Sequence, residues 1–287
     1  MSDFGIIGIG RIGTSMARNM SSKGIIVSLY DKSHNSLDNL KNDYPELESS
    51  LVFNDINKFI SSISKPRKVL VLVPSGPALD EVISLLIQYL DSNDILIDGG
   101  NTNPNVSFEN HQTIKSKNLL YLGMGVSGGV KGVLEGPSIM IGGDTNAFDQ
   151  VKNIFSQITS KTINGSKSFE FFGDSNQGHF VKMIHNGIEY VEMQLISSIY
   201  YLMINSKKYM YDDVAKIFKK WNDIDLNSYL LEISLLKLTE KTDDSYLLDR
   251  IDDKADDNGT GRWMLKHAVD LGCSVSMLNS AIDSRFI

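Results

Sequence analysis

The sequence is poor in cysteine. A single one, Cys273, excludes a disulfide framework and any zinc site built on thiolates. Long apolar runs are missing too: with tyrosine counted, the longest covers residues 199–204, far short of the roughly 20 residues that span a bilayer. Positive charge is not in surplus. Twenty-eight Lys and Arg face 35 Asp and Glu, a formal charge of −7, which argues against a nucleic acid or an anionic membrane as partner. No cluster of His, Cys, Asp and Glu has metal-ligand spacing, so no metal is expected. No signal peptide precedes the first apolar segment, which begins at Phe4, and the chain reads as a cytoplasmic protein. What remains is ordinary globular material: 287 residues, 41% hydrophobic and 22% charged, long enough for about two domains.

Short apolar runs at 4–8, 25–30, 69–73, 95–97 and 119–122 alternate with amphipathic stretches such as 12–22 and 78–90. Apolar strands separated by helices predict a parallel sheet covered on both faces, a doubly wound α/β domain. From Asn176 onward the period changes. Apolar residues recur at helical spacing through 181–195, crowd together at 199–204 and return at 214–218 and 230–238, with no proline after Pro137. The pattern predicts an α/β domain over 1–175 and an all-helical domain over 176–287, with a boundary helix passing from one into the other.

Gly8, Gly10 and Gly13 stand in G-x-G-x-x-G order just after the first strand and at the start of a helix. Gly8 permits the tight turn, Gly10 lets the backbone approach a pyrophosphate, and Gly13 allows close helix–strand packing. The helix amino terminus adds N–H donors and a positive dipole end. Asp31 ends the second strand where a ribose 2′-hydroxyl acceptor is expected. The first domain is therefore of the Rossmann type, with NAD or NADP as cofactor. Asp31 favours NAD, while Lys32 and Ser33 leave room for a 2′-phosphate if Asp31 turns aside.

At about 100° per residue, Lys182, His185, Asn186 and Glu189 fall on one helical face at i, i+3, i+4 and i+7. Val181, Ile184, Ile188, Val191 and Leu195 group away from it, on the expected core face. Such a line can hold a polyhydroxylated anion and move protons on it, with a partly buried lysine as base and Glu189 about 10 Å further along. It can equally be a solvated face with an ordinary Lys–Glu pairing. The stripe alone leaves both readings open.

The run Gly178-His-Phe-Val-Lys-Met-Ile-His-Asn-Gly-Ile-Glu-Tyr190, with Met193 and Gln194, closes that choice. Together with Gly125-Val-Ser-Gly-Gly129, Gly136-Pro-Ser-Ile-Met140, Ile97-Asp-Gly-Gly-Asn101, Asn227-Ser-Tyr-Leu-Leu-Glu-Ile233 and Gly259-Thr-Gly-Arg-Trp263, it resembles the decarboxylating 6-phosphogluconate dehydrogenase family from end to end. The resemblance implies oxidation of 6-phosphogluconate at C3, loss of CO2 and formation of ribulose 5-phosphate. It gives Lys182 the role of general base and then acid, and Glu189 that of the acid that protonates C1. It makes Asn101, Ser127, Gly128, Gly129, His185, Asn186, Tyr190, Thr260 and Arg285 substrate contacts. Gly8, Gly10, Arg11, Ile12, Gly13, Asp31, Lys32, Val73, Pro74 and Asn101 become cofactor contacts.

Some positions depart from the family's long forms. Asn258 stands where those usually carry a phosphate-binding lysine, and Lys131 where they place acidic residues. Pro74-Ser75-Gly76 replaces a commoner small-residue version. With its early stop, the sequence resembles the family's short forms, and a homodimer in which a partner's helices complete the site is expected. Two other functions share these features: a dehydrogenase of a smaller β-hydroxyacid such as 3-hydroxyisobutyrate, and a non-catalytic nucleotide-binding regulator. His179 reads as a structural cap of the boundary helix, and Cys273 as a buried small hydrophobe. Tyr200, Tyr201 and Trp221 read as core or interface, and the seven aspartates of 243–257 as a solvated helix face.

Overall fold

The computed structural model describes residues 1–33, 37, 40–242 and 245–286. It divides into two compact units, Met1–Lys182 and Met183–Ile287. In the first, an eight-stranded sheet is built from β1 (Phe4–Ile7), β2 (Val27–Tyr30), β3 (Leu51–Phe53), β4 (Lys68–Val71), β5 (Ile95–Asp98), β6 (Leu120–Ser127), β7 (Ser138–Gly143) and β8 (Phe169–Phe171). The strand order is β3-β2-β1-β4-β5-β6-β7-β8. The helices α1 (Arg11–Ser22), α2 (Leu40–Asp43), α3 (Ile56–Ser61), α4 (Pro77–Leu86), α5 (Pro104–Lys115), α6 (Gly129–Glu135) and α7 (Thr145–Ile158) connect them. β1 to β6 are parallel, as the apolar runs predict, but β7 runs antiparallel to β6. Three strands lie outside the apolar runs picked out above: β3 and β7 carry only the short runs Leu51–Phe53 and Ile139–Ile141, and β8 carries none. β3 and β8 are three residues long, and β7 ends in Gly142-Gly143.

Side chains alternate between the two faces of this sheet, which is why its strands read as unbroken apolar runs. Phe4, Ile6, Leu70, Ile95, Ile97, Leu122 and Met124 pack on one side against Met16 and Met20 of α1, Val133 of α6 and Phe155 of α7. Ile7, Val69, Val71, Leu96 and Tyr121 pack on the other against Phe59 of α3, Leu79 and Ile83 of α4 and Ile114 of α5. Each such aliphatic or aromatic side chain, fully buried, contributes about 1.5–3 kcal/mol.

α8 (Gln177–Asn205) is one unbroken helix, covering both the 181–195 and 199–204 segments. Its first turns lie against β6 and β7 at glycines. A methyl group on Gly178 would run into the carbonyl of Gly123, one on Gly142 would come within 2.5 Å of the Gly178 nitrogen, and one on Gly125 would strike the Lys182 side chain. Gly123 and Gly125 are two apart on β6, hence on one face.

The second unit holds the rest of α8 with α9 (Tyr211–Asn222), α10 (Tyr229–Thr239), α11 (Thr260–Asp270) and α12 (Ser276–Asp283). A ribbon of two-residue strands, 241–242 with 245–246, is its one β feature among the described residues. Val214, Phe218, Leu231 and Leu238 form one core, and Tyr190, Leu278 and Ile282 another. Several expectations are corrected here. Ile188 and Leu195 of the expected core face are exposed, because the buried positions of this stretch of α8 are Met183, Asn186, Gly187 and Tyr190. Cys273 is exposed, not buried, since it follows the end of α11 in a turn. Of the residues expected in core or interface, Trp221 stacks on Phe218 in the core, and the exposed Tyr201 is excluded only from the core. The acidic run is solvated at Asp249, Asp252, Asp253 and Asp256 but is no helix face: only Asp249 lies in a short 3-10 turn, residues 251–258 are irregular, and Asp243 and Asp244 lie outside the described residues. Among the described residues no helix is long and apolar enough to cross a membrane.

Gly178→Ala forces the α8–β6 contact apart against backbone atoms. Overpacking of this kind costs about 1–3 kcal/mol, and thermal unfolding should fall by several degrees. An unchanged melting temperature would show that the contact tolerates a side chain.

Candidate active site

The strand order reverses between β1 and β4, and a cleft of about 500 Å³ opens beyond their carboxyl ends, where open α/β sheets bind ligands. Gly10, Arg11, Ile12, Gly13, Val73, Pro74, Asn101, Gly129 and Lys182 line it. A second lobe of about 370 Å³ shares Gly10, Leu72, Val73 and Pro74 and adds Gly8, Asp31, Lys32 and Glu81. All ten residues that the sequence assigns to the cofactor line one lobe or the other. Ser127 and Gly128 sit at the end of β6 and the start of α6.

The turn after β1 explains its glycines. Gly8 has φ +92°, and a methyl group there would stand 2.6 Å from the Leu72 carbonyl oxygen; one on Gly13 would run into the Gly8 carbonyl. At Gly10 a methyl group meets no protein atom within 4 Å and projects into open space. That space, beside the amino terminus of α1, fits a dinucleotide pyrophosphate. Asp31 is fixed beside it: one carboxylate oxygen accepts the Ile9 N–H at 2.8 Å and the other the Ser33 N–H at 2.8 Å.

Behind the cleft runs a buried polar chain that periodicity does not reveal. The Asp98 carboxylate accepts the Gly100 N–H at 3.0 Å and lies 3.3 Å from the Tyr121 hydroxyl. Tyr121 meets the Ser107 hydroxyl at 3.0 Å, and Ser107 meets His179 Nδ1 at 2.8 Å. Burial lowers the His179 pKa, against the pull of Asp98, and keeps the ring neutral. The residue is thus an internal anchor of the first turn of α8, tied to α5, and not a cap.

In the helical unit, His185 Nδ1 lies 3.4 Å from the Glu189 carboxylate and 3.3 Å from the Asn186 side-chain oxygen. Tyr190 centres a further set. Its hydroxyl lies 3.0 Å from an Asp257 oxygen and 3.2 Å from Asn258 Oδ1. The Arg285 guanidinium stacks 4.0 Å over its ring while donating to the Asp256 carbonyl at 2.7 Å. Thr260 is fully buried and donates to Asn258 Oδ1 at 2.8 Å. Asp257, part of the acidic run set aside above as solvated, holds this loop: it accepts the Gly259 N–H at 2.8 Å and pairs with Arg262 at 2.7 Å. Burial pushes its pKa up, but the Gly259 N–H, the Tyr190 hydroxyl and Arg262 outweigh that and hold it below the usual range. Its only signal in the sequence is its place two residues before Gly259. Among the described residues no group of three or more His, Cys, Asp or Glu is placed to hold a metal ion.

The glycines separate stability from binding. Gly13→Ala should lower the melting temperature through its backbone clash. Gly10→Ala should leave it unchanged and weaken dinucleotide binding about tenfold or more, a loss of ~1.4 kcal/mol per decade. Calorimetric titration beside a thermal melt distinguishes them, and equal effects at both positions would contradict the assignment.

Residues 3–166 match the model of the NAD binding domain of 6-phosphogluconate dehydrogenase, and residues 178–287 that of the C-terminal domain of 6-phosphogluconate dehydrogenase. The chain is 37% identical over 284 residues to the decarboxylating 6-phosphogluconate dehydrogenase of Staphylococcus epidermidis, covering 99% of this chain and 60% of that one. It is also 37% identical to that of Lactococcus lactis subsp. cremoris, covering 100% and 61%. The chain thus spans about 60% of the length of these curated relatives. Among solved structures it is similar to the 6-phosphogluconate dehydrogenase of Plasmodium falciparum, studied with its cofactor NADP+ and with its substrate 6-phosphogluconate. The TM-score is 0.93 at 37% identity, covering 99% of this chain and 61% of that one. A 3-hydroxyisobutyrate dehydrogenase from Salmonella typhimurium shares the fold at 16% identity, TM-score 0.76, covering 99% and 92%. Two family models, over residues 3–166 and 178–287, between them span most of the sequence, and the chain belongs to the 6-phosphogluconate dehydrogenase family.

Proposed function

We propose that this chain oxidatively decarboxylates 6-phosphogluconate to ribulose 5-phosphate and CO2. The observation that carries the reading is the place of Lys182, which lines the same cleft as the Gly10–Gly13 turn and Asn101 and continues along α8 into His185, Asn186 and Glu189. A dinucleotide held by the Gly8–Gly13 turn and Asp31 would supply a nicotinamide able to take the hydride from C3. Neutral Lys182 takes the proton of the 3-hydroxyl as that hydride departs. The 3-keto acid then loses CO2: the C1–C2 bonding pair moves into the carbonyl, and protonated Lys182 stabilises the oxygen that gains charge and returns the proton to it. Glu189 protonates the enediol carbon that was C2 of the substrate and becomes C1 of ribulose 5-phosphate, and the hydroxyl on the former C3 gives its proton back to Lys182 to leave the ketone. Asn101, Ser127, Gly128, Gly129, His185, Asn186, Tyr190, Thr260 and Arg285 bind the hydroxyls, carboxylate and phosphate. Guanidinium–oxyanion bonds suit Arg285 to an anionic group. A cytoplasmic location accords with this chemistry, whose substrate and coenzyme are both membrane-impermeant anions.

The decisive assay gives the purified protein 6-phosphogluconate with NAD or NADP and follows reduced nicotinamide and CO2 together. Both should appear in equal amounts; reduction without CO2 indicates a smaller β-hydroxyacid as substrate, and binding without turnover a regulator. Lys182→Ala should abolish turnover while dinucleotide affinity stays within a few-fold. Near-wild-type rates in that variant would remove the residue's assigned role.

We also infer self-association through the helical unit, which exposes Ile188, Tyr201, Leu202, Met210, Tyr229 and Leu236. Apolar exposure on this scale marks interaction surfaces. Light scattering should give a dimer or larger species, and an active monomer at assay concentration would refute the inference.

A further inference from the structure

We propose that Glu81 selects the coenzyme, by holding Lys32 away from the position a 2′-phosphate would occupy. The two lobes of the cleft meet at Gly10, Leu72, Val73 and Pro74. Hydride transfer needs the nicotinamide at the lobe that Lys182 lines, so the adenosine ribose belongs in the other. Three charged side chains line that second lobe: Asp31, Lys32 and Glu81. Lys32 Nζ pairs with a Glu81 carboxylate oxygen at 2.7 Å, reaching from the end of β2 to α4. The two side chains are 80% and 65% exposed, and a pair this wet adds little to folding. Its consequence lies in the charge shown to a ligand.

A ribose 2′-hydroxyl is neutral and can donate to the lone pairs of Asp31, whose carboxylate the Ile9 and Ser33 N–H groups already hold in place. A 2′-phosphate at the same point meets that carboxylate as a like charge. Among the described residues that line this lobe the counter-ion is Lys32, already engaged by Glu81. The described residues of the lobe sum to one net negative charge, and the second carboxylate makes it so. Glu81 acts here on specificity, through Lys32, and not on the hydride step. The sequence places it in an ordinary amphipathic helix, 49 residues from its partner, where nothing marks it as part of a nucleotide site.

The test is binding alone, by calorimetric titration of the full chain with NAD and with NADP at low and at moderate salt. It depends on the dinucleotide role of this unit and not on the sugar-acid substrate, so failure of the decarboxylase reading leaves it intact. Wild type should bind NAD more tightly than NADP. Glu81→Gln keeps size and hydrogen bonding but removes the charge, and should move the NADP-to-NAD affinity ratio about tenfold toward NADP, a gain that shrinks with salt. In the double variant Glu81→Gln with Lys32→Gln the gain should vanish. An unmoved ratio in Glu81→Gln, a gain that survives without Lys32, or a wild type that prefers NADP each overturns the proposal.

Discussion

The close seating of α8 on the sheet is the constraint from which the rest of the first unit follows. Helix and strand meet where Gly178, Gly123, Gly125 and Gly142 carry no side chain of their own, so that backbone, the His179 ring and the stem of Lys182 fill the contact. Dense packing of this kind has few alternative arrangements, so the position of Lys182 at the cleft is set by backbone against backbone. The neighbouring chain from His179 through Ser107 and Tyr121 to Asp98 reaches the Gly99–Gly100 turn from the other side. Lys182 and the loop that carries Asn101 are thereby referenced to one buried framework. Satisfied buried polar groups rigidify, and unsatisfied ones cost heavily.

The dinucleotide cleft applies the same economy to charge. The turn after β1 supplies backbone donors, Asp31 supplies the single acceptor that needs an exact place, and two N–H bonds give it that place. Lys182 lines one lobe, and Asp31 and Glu81 the other. The acidic body of the chain, with its formal charge of −7, therefore presents cationic and anionic stations locally, and neither can be inferred from the overall balance.

Much of this was legible in the sequence, for identifiable reasons. Strands covered on both faces are apolar throughout, so β1, β2, β4, β5 and β6 announce themselves, and the glycine turn follows from the steric needs of a phosphate. β7 was not legible, because Pro137 and two terminal glycines break its pattern, and neither were the three-residue β3 and β8. The stripe on α8 was visible, but its supposed core face was not reliable: periodicity sorts residues by side and cannot say which side is covered, and Ile188 and Leu195 proved exposed. Asp257, Glu81 and the His179 chain were missed for a common reason. Each works through partners distant in sequence, and a carboxylate in an acidic run looks the same whether it is solvated or tying down a loop.

Arg285 carries a last consequence. Its guanidinium carbon lies over the Tyr190 ring, and one of its nitrogens is bonded to the Asp256 carbonyl. An unrestrained arginine carries about 2 kcal/mol of rotamer entropy, most of which an anion captured from solution would have to extinguish. Here folding has already removed it. An anion arriving at this side chain meets a cation whose freedom is spent, so more of the attraction between them is available as affinity.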